Sequence, residues 1–181
     1  NFSAGFDFSD FEQLSNADLL WRFVRVQQLL DQLGHYPGLT IGQAHGRNFG
    51  AGCDLLAACA IRQGTADSRY RMPGVLFGLI LGTRHLGSLV GTSVARHLQL
   101  TAGELSASRA LELGFLSHLI DHPTQLDTTL FAGSQGVRPA TRQRIVQALA
   151  APTSHEDMGR LVESVMAGDI KTRLRAYLGR S

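Results

Sequence analysis

Two short turns rich in small residues, Ser3-Ala4-Gly5-Phe6 and Gly50-Ala51-Gly52, present main-chain groups that side chains do not cover. The second opens a helix. Unpaired N–H groups at a helix N-terminus or in a backbone nest attract an anion or a polarised oxygen, and the helix dipole adds to the field. Small residues also let a ligand carbonyl approach the main chain. Asp54 follows in the first turn of that helix, where a carboxylate either moves a proton or interacts with backbone N–H groups of the helix start. His45 precedes the glycine turn and His85 lies further on. Either imidazole titrates near neutral pH and can serve as a base, although a single histidine is more often a hydrogen-bonded structural or surface residue. Arg69, Arg71 and Arg84 either grip phosphate or form a solvated charged face.

These groups need a scaffold, and the apolar spacing predicts one. Leu19, Leu20, Phe23, Val26, Leu30 and Leu33 form one helical stripe over 19–33, capped by Ser15 or Asn16 and ended by Gly34 in the left-handed conformation. Residues 39–44 read as a strand ending at His45-Gly46, followed by a glycine-rich turn over 46–52 and a tightly packed small-residue helix over 53–59. Short strands are expected over 61–65 and 69–72, closed by Pro73-Gly74. Residues 75–90 suggest buried turns and a short helix, and 94–98 continues helically. Ser106 caps a helix over 107–113, Gly114 ends it, and 115–120 is a short strand. From Pro123 onward only helices are predicted: a loose one to Ala132, then 139–150, 156–166 and 170–178. Strands crowd the first two thirds and helices the last, which gives an α/β body with a helical C-terminal region. The last helix carries an apolar stripe, Ile170, Leu174, Tyr177 and Leu178, suited to docking on a neighbour or to covering its own core.

The chain has 181 residues, 44% hydrophobic and 18% charged, enough to bury a single core and too apolar to be disordered. Seventeen basic residues, all Arg except Lys171, stand against fifteen acidic ones. They are scattered, so nucleic acid is not expected as a partner. No apolar run approaches a membrane span and no secretory leader is recognisable, so a membrane is not expected either. The two cysteines, Cys53 and Cys59, fit neither a disulfide framework nor metal-ligand spacing. A reducing, cytoplasmic setting and no metal are expected.

Taken together, several pieces resemble the enoyl-CoA hydratase/isomerase, or crotonase, family. They are Phe2-Ser3-Ala4-Gly5-Phe6-Asp7; Pro37-Gly38-Leu39-Thr40-Ile41 through His45-Gly46; Gly50-Ala51-Gly52-Cys53-Asp54-Leu55 with Ala58-Cys59-Ala60-Ile61-Arg62; and Leu100-Thr101-Ala102-Gly103-Glu104-Leu105-Ser106-Ala107 with Ala110 and Gly114-Phe115-Leu116. They arrive in family order over residues 1 to about 120. The resemblance implies a spiral of ββα turns over 1–120, a helical region over 121–181 that takes part in oligomerisation, and a homotrimer or homohexamer. It implies an acyl-CoA thioester as substrate, with coenzyme A as part of that substrate and no covalently bound cofactor. The backbone amides of Phe6 and Ala51 would form an oxyanion hole, and Ala4 and Gly5 would skirt coenzyme A.

The acids depart from the family pattern. A hydratase carries two glutamates, whereas the corresponding positions here are Asp54 and Gly74. The resemblance therefore implies isomerase-type or other one-base chemistry more than hydration, with His45 or His85 as substitutes for the lost acid. The alternative is a spiral that has lost catalysis and serves as a binding or assembly subunit. The opening strands of the family spiral are also missing before Asn1, so the chain is expected to be a trimmed part of a longer polypeptide, to receive those strands from a second chain, or to be a degenerate domain that does without them.

Overall fold

The computed structural model describes residues 1–123, 129, 132, 135–149 and 154–179. Helix α1 (Asn16–Gly34) starts at a capping box. The Asp18 N–H donates to Ser15 Oγ at 3.1 Å, and the Ser15 N–H donates back to Asp18 Oδ2 at 3.0 Å, so two donors of the helix start are satisfied. The inward face buries Leu19, Phe23, Gln27 and Leu30. Gly34 is not in the left-handed conformation expected of it: it remains helical, and His35 caps at φ −98°. Its missing side chain serves packing instead, because a Cβ there would stand 3.1 Å from His85 Cε1.

The spiral follows. Strands β1 (Ile41–Ala44) and β2 (Arg47–Phe49) lead into α2 (Ala51–Ala57), and β3 (Ile61–Gly64) and β4 (Arg69–Arg71) lead through a 3-10 turn (Pro73–Phe77) into α3 (Thr83–Val90). β1 lies parallel to β3 with Ile41 opposite Ile61, and β2 lies parallel to β4 with Arg47 opposite Arg69. Each unit thus puts its first strand in one sheet and its second in the other, and the next unit stacks in the same order. After α4 (Thr92–Thr101), β5 (Glu104–Ser106) runs antiparallel to β4. α5 (Ala107–Glu112) then returns the chain to β6 (His118–Leu119), parallel to β3. The sheets have the orders β1-β3-β6 and β2-β4-β5.

Several expected boundaries shift. The glycine-rich turn over 46–52 contains β2, β5 was not foreseen, and of the strand expected over 115–120 only His118–Leu119 pairs. Strands this short show no alternation long enough to read. The loose helix expected from Pro123 to Ala132 falls largely outside the described residues, as does Ala150.

Two apolar clusters form. One lies under the sheets, with Ala44, Leu56, Tyr70, Leu86 and Phe115 among its members. The other joins Leu19 and Phe23 of α1 and Phe77 of the 3-10 turn to Leu161 of α7 (Ser154–Met166) and to Ile170 and Leu174 of α8 (Ile170–Leu178). Helix α6 (Pro139–Leu149) precedes these two and buries none of its residues. Ile170 and Leu174 are buried within the chain's own core, so these two members of the final stripe cover it rather than dock on a neighbour. Polar ties fix α8 as well: Lys171 Nζ donates to the carbonyls of Glu12 (2.7 Å) and Leu14 (2.9 Å), and Arg175 grips the Glu12 carboxylate with two bonds of 2.7 Å. Among the described residues no helix is long and apolar enough to cross a membrane.

If α8 is part of this core, Leu174→Ala will lower unfolding stability by about 2–5 kcal/mol, the usual cost of truncating a buried leucine. Urea denaturation measures it, and a loss below about 1 kcal/mol would contradict the packing.

Candidate active site

The opening segment runs beside the turn that follows β1. The Phe2 N–H donates to the His45 carbonyl at 3.2 Å, the Phe49 N–H to the Ser3 carbonyl at 3.1 Å, and the Gly50 N–H to the Arg71 carbonyl at 2.8 Å. These bonds bring the two small-residue turns together. Gly5 has φ +97°, and a Cβ on it would stand 2.6 Å from the Phe49 carbonyl oxygen and 3.3 Å from the Ala51 nitrogen. Only glycine fits such an approach. The Gly5 N–H is turned to Ser3 Oγ at 3.1 Å. The Cys53 and Asp54 N–H groups both donate to the Gly50 carbonyl, at 2.8 and 3.2 Å. That leaves the N–H groups of Phe6 and Ala51 without an acceptor among the described residues, on two backbone stretches in contact.

Phe6 and Ala51 line a cavity of about 200 Å³ together with Ala4, Asp54 and Gly74. Gly5 lies against Phe49 and Ala51, both of which line the cavity. Asp54 is 4% exposed, and its Oδ1 has no hydrogen-bond partner. The carboxyl therefore does not spend that oxygen on the N–H groups of the helix start. Gly82, at φ +63°, packs against it so closely that any side chain there would collide with the carboxylate. Burial pushes the Asp54 carboxyl well above the ordinary carboxylate range, with desolvation as the cause. At Gly74 a Cβ would make ordinary contacts of 3.6 Å with Leu79, so packing does not impose glycine at the position of the second acid.

Neither histidine reaches this cavity. His45 sits near the surface with Nδ1 3.3 Å from the Asn1 amino group. His85 lines a separate cavity of about 290 Å³ with Asp31, His35 and Asp157. There burial pushes its imidazole below the ordinary range, against the pull of Asp31 and Asp157. Neither imidazole thus lines the space that holds Asp54, although both lie near the motifs along the chain. The three arginines are committed to neighbours in the chain. Arg84 Nε pairs with Asp157 at 2.8 Å, Arg71 Nε donates to the Ala102 carbonyl at 2.8 Å, and Arg69 Nη1 donates to the Ser68 carbonyl at 3.0 Å. Two further cavity residues, Gln99 of α4 and Tyr177 of α8, were missed as site residues. Tyr177 stood on the apolar stripe of the last helix with no sign of what it faces, and Gln99 lies just beyond the helix expected over 94–98.

Comparison with known proteins gives the family and the fold. The family model described as enoyl-CoA hydratase/isomerase matches residues 1–161. A crystal structure from Bordetella parapertussis, of a protein assigned as an enoyl-CoA hydratase/isomerase, superposes with a TM-score of 0.93 at 40% identity, covering 98% of this chain and 75% of that one. A Bacillus subtilis protein described as an enoyl-CoA hydratase is 35% identical over 120 residues, 64% of this chain and 46% of its own length. The mitochondrial Delta(3,5)-Delta(2,4)-dienoyl-CoA isomerase of Dictyostelium discoideum is 32% identical over 116 residues, 62% of this chain and 40% of its own. The chain thus spans less than half the length of these curated relatives. It belongs to the enoyl-CoA hydratase/isomerase family, and its α/β spiral with a helical C-terminal region is the crotonase fold.

Two predictions follow from the packing. Gly5→Ala will force the first turn away from Phe49 and Ala51 and lower unfolding stability by about 1–3 kcal/mol, the usual cost of overpacking; urea denaturation reads this, and an unchanged midpoint would show that the contact is dispensable. For Asp54 the folded pKa lies above the unfolded value of 3.8. Its contribution is therefore most favourable below that value and is lost as pH rises through the folded pKa. Asp54→Asn should gain melting temperature relative to the parent as pH rises from the unfolded value of 3.8 toward neutral, and a gap that stays constant or narrows over that whole range would contradict the buried, uncompensated carboxyl.

Proposed function

We propose that the protein processes acyl-CoA thioesters through an enolate, with the amides of Phe6 and Ala51 holding the thioester oxygen and Asp54 moving the proton. The observation that supports it is the conjunction of two unengaged amides and a single buried carboxyl in one cavity. In this reading both N–H groups donate to the carbonyl oxygen. They strengthen as negative charge develops, each contributing about 3–4 kcal/mol to transition-state stabilisation. The Asp54 carboxylate takes a proton from the α-carbon, the C–H pair becomes the carbon–carbon double bond of the enolate, and the carbonyl π pair moves onto the thioester oxygen. A raised pKa makes Asp54 a stronger base than a solvated carboxylate and, once protonated, a donor suited to returning the proton to another carbon.

Hydration needs a second group to activate water, and Gly74 supplies none. One-base double-bond isomerisation needs only Asp54, and the likeness to a dienoyl-CoA isomerase supports that direction. On the same reading coenzyme A passes Ala4 and Gly5 as part of the substrate, and the protein works in the cytoplasm as a trimer or hexamer.

The test follows deuterium incorporation at the α-carbon of acyl-CoA thioesters in deuterated water by mass spectrometry. The protein should catalyse exchange, and Asp54→Asn should reduce it by about 10²–10⁴-fold. Thioester binding without exchange over a broad panel would replace this reading by a binding or assembly subunit, the role that an acid-poor site with Gly74 also suits.

A further inference from the structure

We infer that the acyl group received by this cavity carries a phenyl-sized aromatic ring rather than a long linear chain. This deepens the thioester reading above and rests on it. The observation is a continuous ladder of rings. Phe23 lies 4.8 Å from Phe6, Phe6 lies 4.9 Å from Phe8, Phe8 lies 5.7 Å from Phe77, and Phe77 lies 5.2 Å from Tyr177, centroid to centroid. All four separations fall in the range where aromatic rings attract through their quadrupoles. All five rings line the cavity that holds Asp54.

They come from four separate parts of the chain: the opening segment, α1, the 3-10 turn and α8. Phe6, Phe8 and Tyr177 are the partly exposed rings of this ladder, Phe23 and Phe77 back them from the core, and among the described residues Asp54 is the one charged member of the lining. An incoming ring extends the ladder by the tilted and edge contacts that its members already make with one another, whereas an alkyl chain gains only area. The size agrees. A dry apolar cavity of about 150 Å³ accepts benzene, and the volume here is about 200 Å³. The wall is also held in place, because the bonds from Lys171 and Arg175 to Glu12 and Leu14 tie α8, and with it Tyr177, to the opening segment.

The experiment compares dissociation constants of 3-phenylpropanoyl-CoA, hexanoyl-CoA, decanoyl-CoA and free coenzyme A on the full chain by titration calorimetry. The expected order is 3-phenylpropanoyl-CoA at least tenfold tighter than hexanoyl-CoA, with decanoyl-CoA weaker than both. Equal affinities, or decanoyl-CoA binding most tightly, would overturn the aromatic preference while leaving the thioester reading intact. No thioester binding more tightly than free coenzyme A would overturn the thioester reading itself. Phe8→Leu and Tyr177→Leu keep apolar volume while removing a ring from the ladder, and each should narrow the phenyl-to-hexanoyl ratio to within about threefold. An unchanged ratio in both folded variants would show that the rings are core filling without a role in selection.

Discussion

The close approach of two main-chain segments governs this molecule. Gly5 lies against the Phe49 carbonyl and the Ala51 nitrogen, and Gly52 lies against Ser3, where a Cβ would stand 2.5 Å from the Ser3 carbonyl oxygen. Each turn therefore contributes a glycine to the surface of the other, and a side chain at either place would separate them. The bonds from Phe2 to His45 and from Phe49 to Ser3 set the distance, and the parallel pairing of β2 with β4 sets where the second turn stands. Because this approach is made by backbone, the side chain at residue 6 is free to serve another purpose. Phe6 uses that freedom to enter the ring wall of the same cavity.

The charges divide by task. At the surface, Arg22 and Arg175 hydrogen-bond Asp10 and Glu12 and hold these carboxyls below their ordinary range, and the Glu12 pair ties α8 to the opening segment. Exposed pairs of this sort contribute little energy singly, so their value is geometric. Asp54 is the opposite case: buried, with an orphaned oxygen and a glycine pressed against it, it costs the fold stability whenever it ionises. A carboxyl placed at such a cost in a cavity beside free amides is the arrangement expected where reactivity, not stability, fixed the residue.

The two turns that meet at the cavity were legible in the sequence because their requirements are local. Gly5 and Gly52 announce positions where a Cβ would collide, Gly50 one of positive φ, and Asp54 follows within one helical turn. Much of the fold was legible for the same reason: the stripe from Leu19 to Leu33 and the cap at Ser15 need only neighbours in sequence. What could not be read depends on distant pairing. β2 and β5 are three residues each and exist because β4 lies between them. His45 and His85 lie near the motifs along the chain, yet the spiral turns one toward Asn1 and packs the other against Gly34. Tyr177 looked like one more apolar position on a helix face, and nothing local reveals that this face meets Phe77.

That last contact shows how the two sides of the cavity are built by different parts of the molecule. The spiral from β1 to α3 carries Ala51 and Asp54 of the lining, with Gly82 packed against Asp54. The ring wall is assembled from the opening segment, α1, the 3-10 turn and α8, and Phe23 and Phe77 belong at once to that wall and to the second apolar core. A core side chain that also lines a cavity cannot change size without altering both stability and the space left for a ligand. A sequence change in the second core therefore alters the space of the cavity as well, while the approach of Gly5 to Ala51 and of Gly82 to Asp54 is set by backbone geometry.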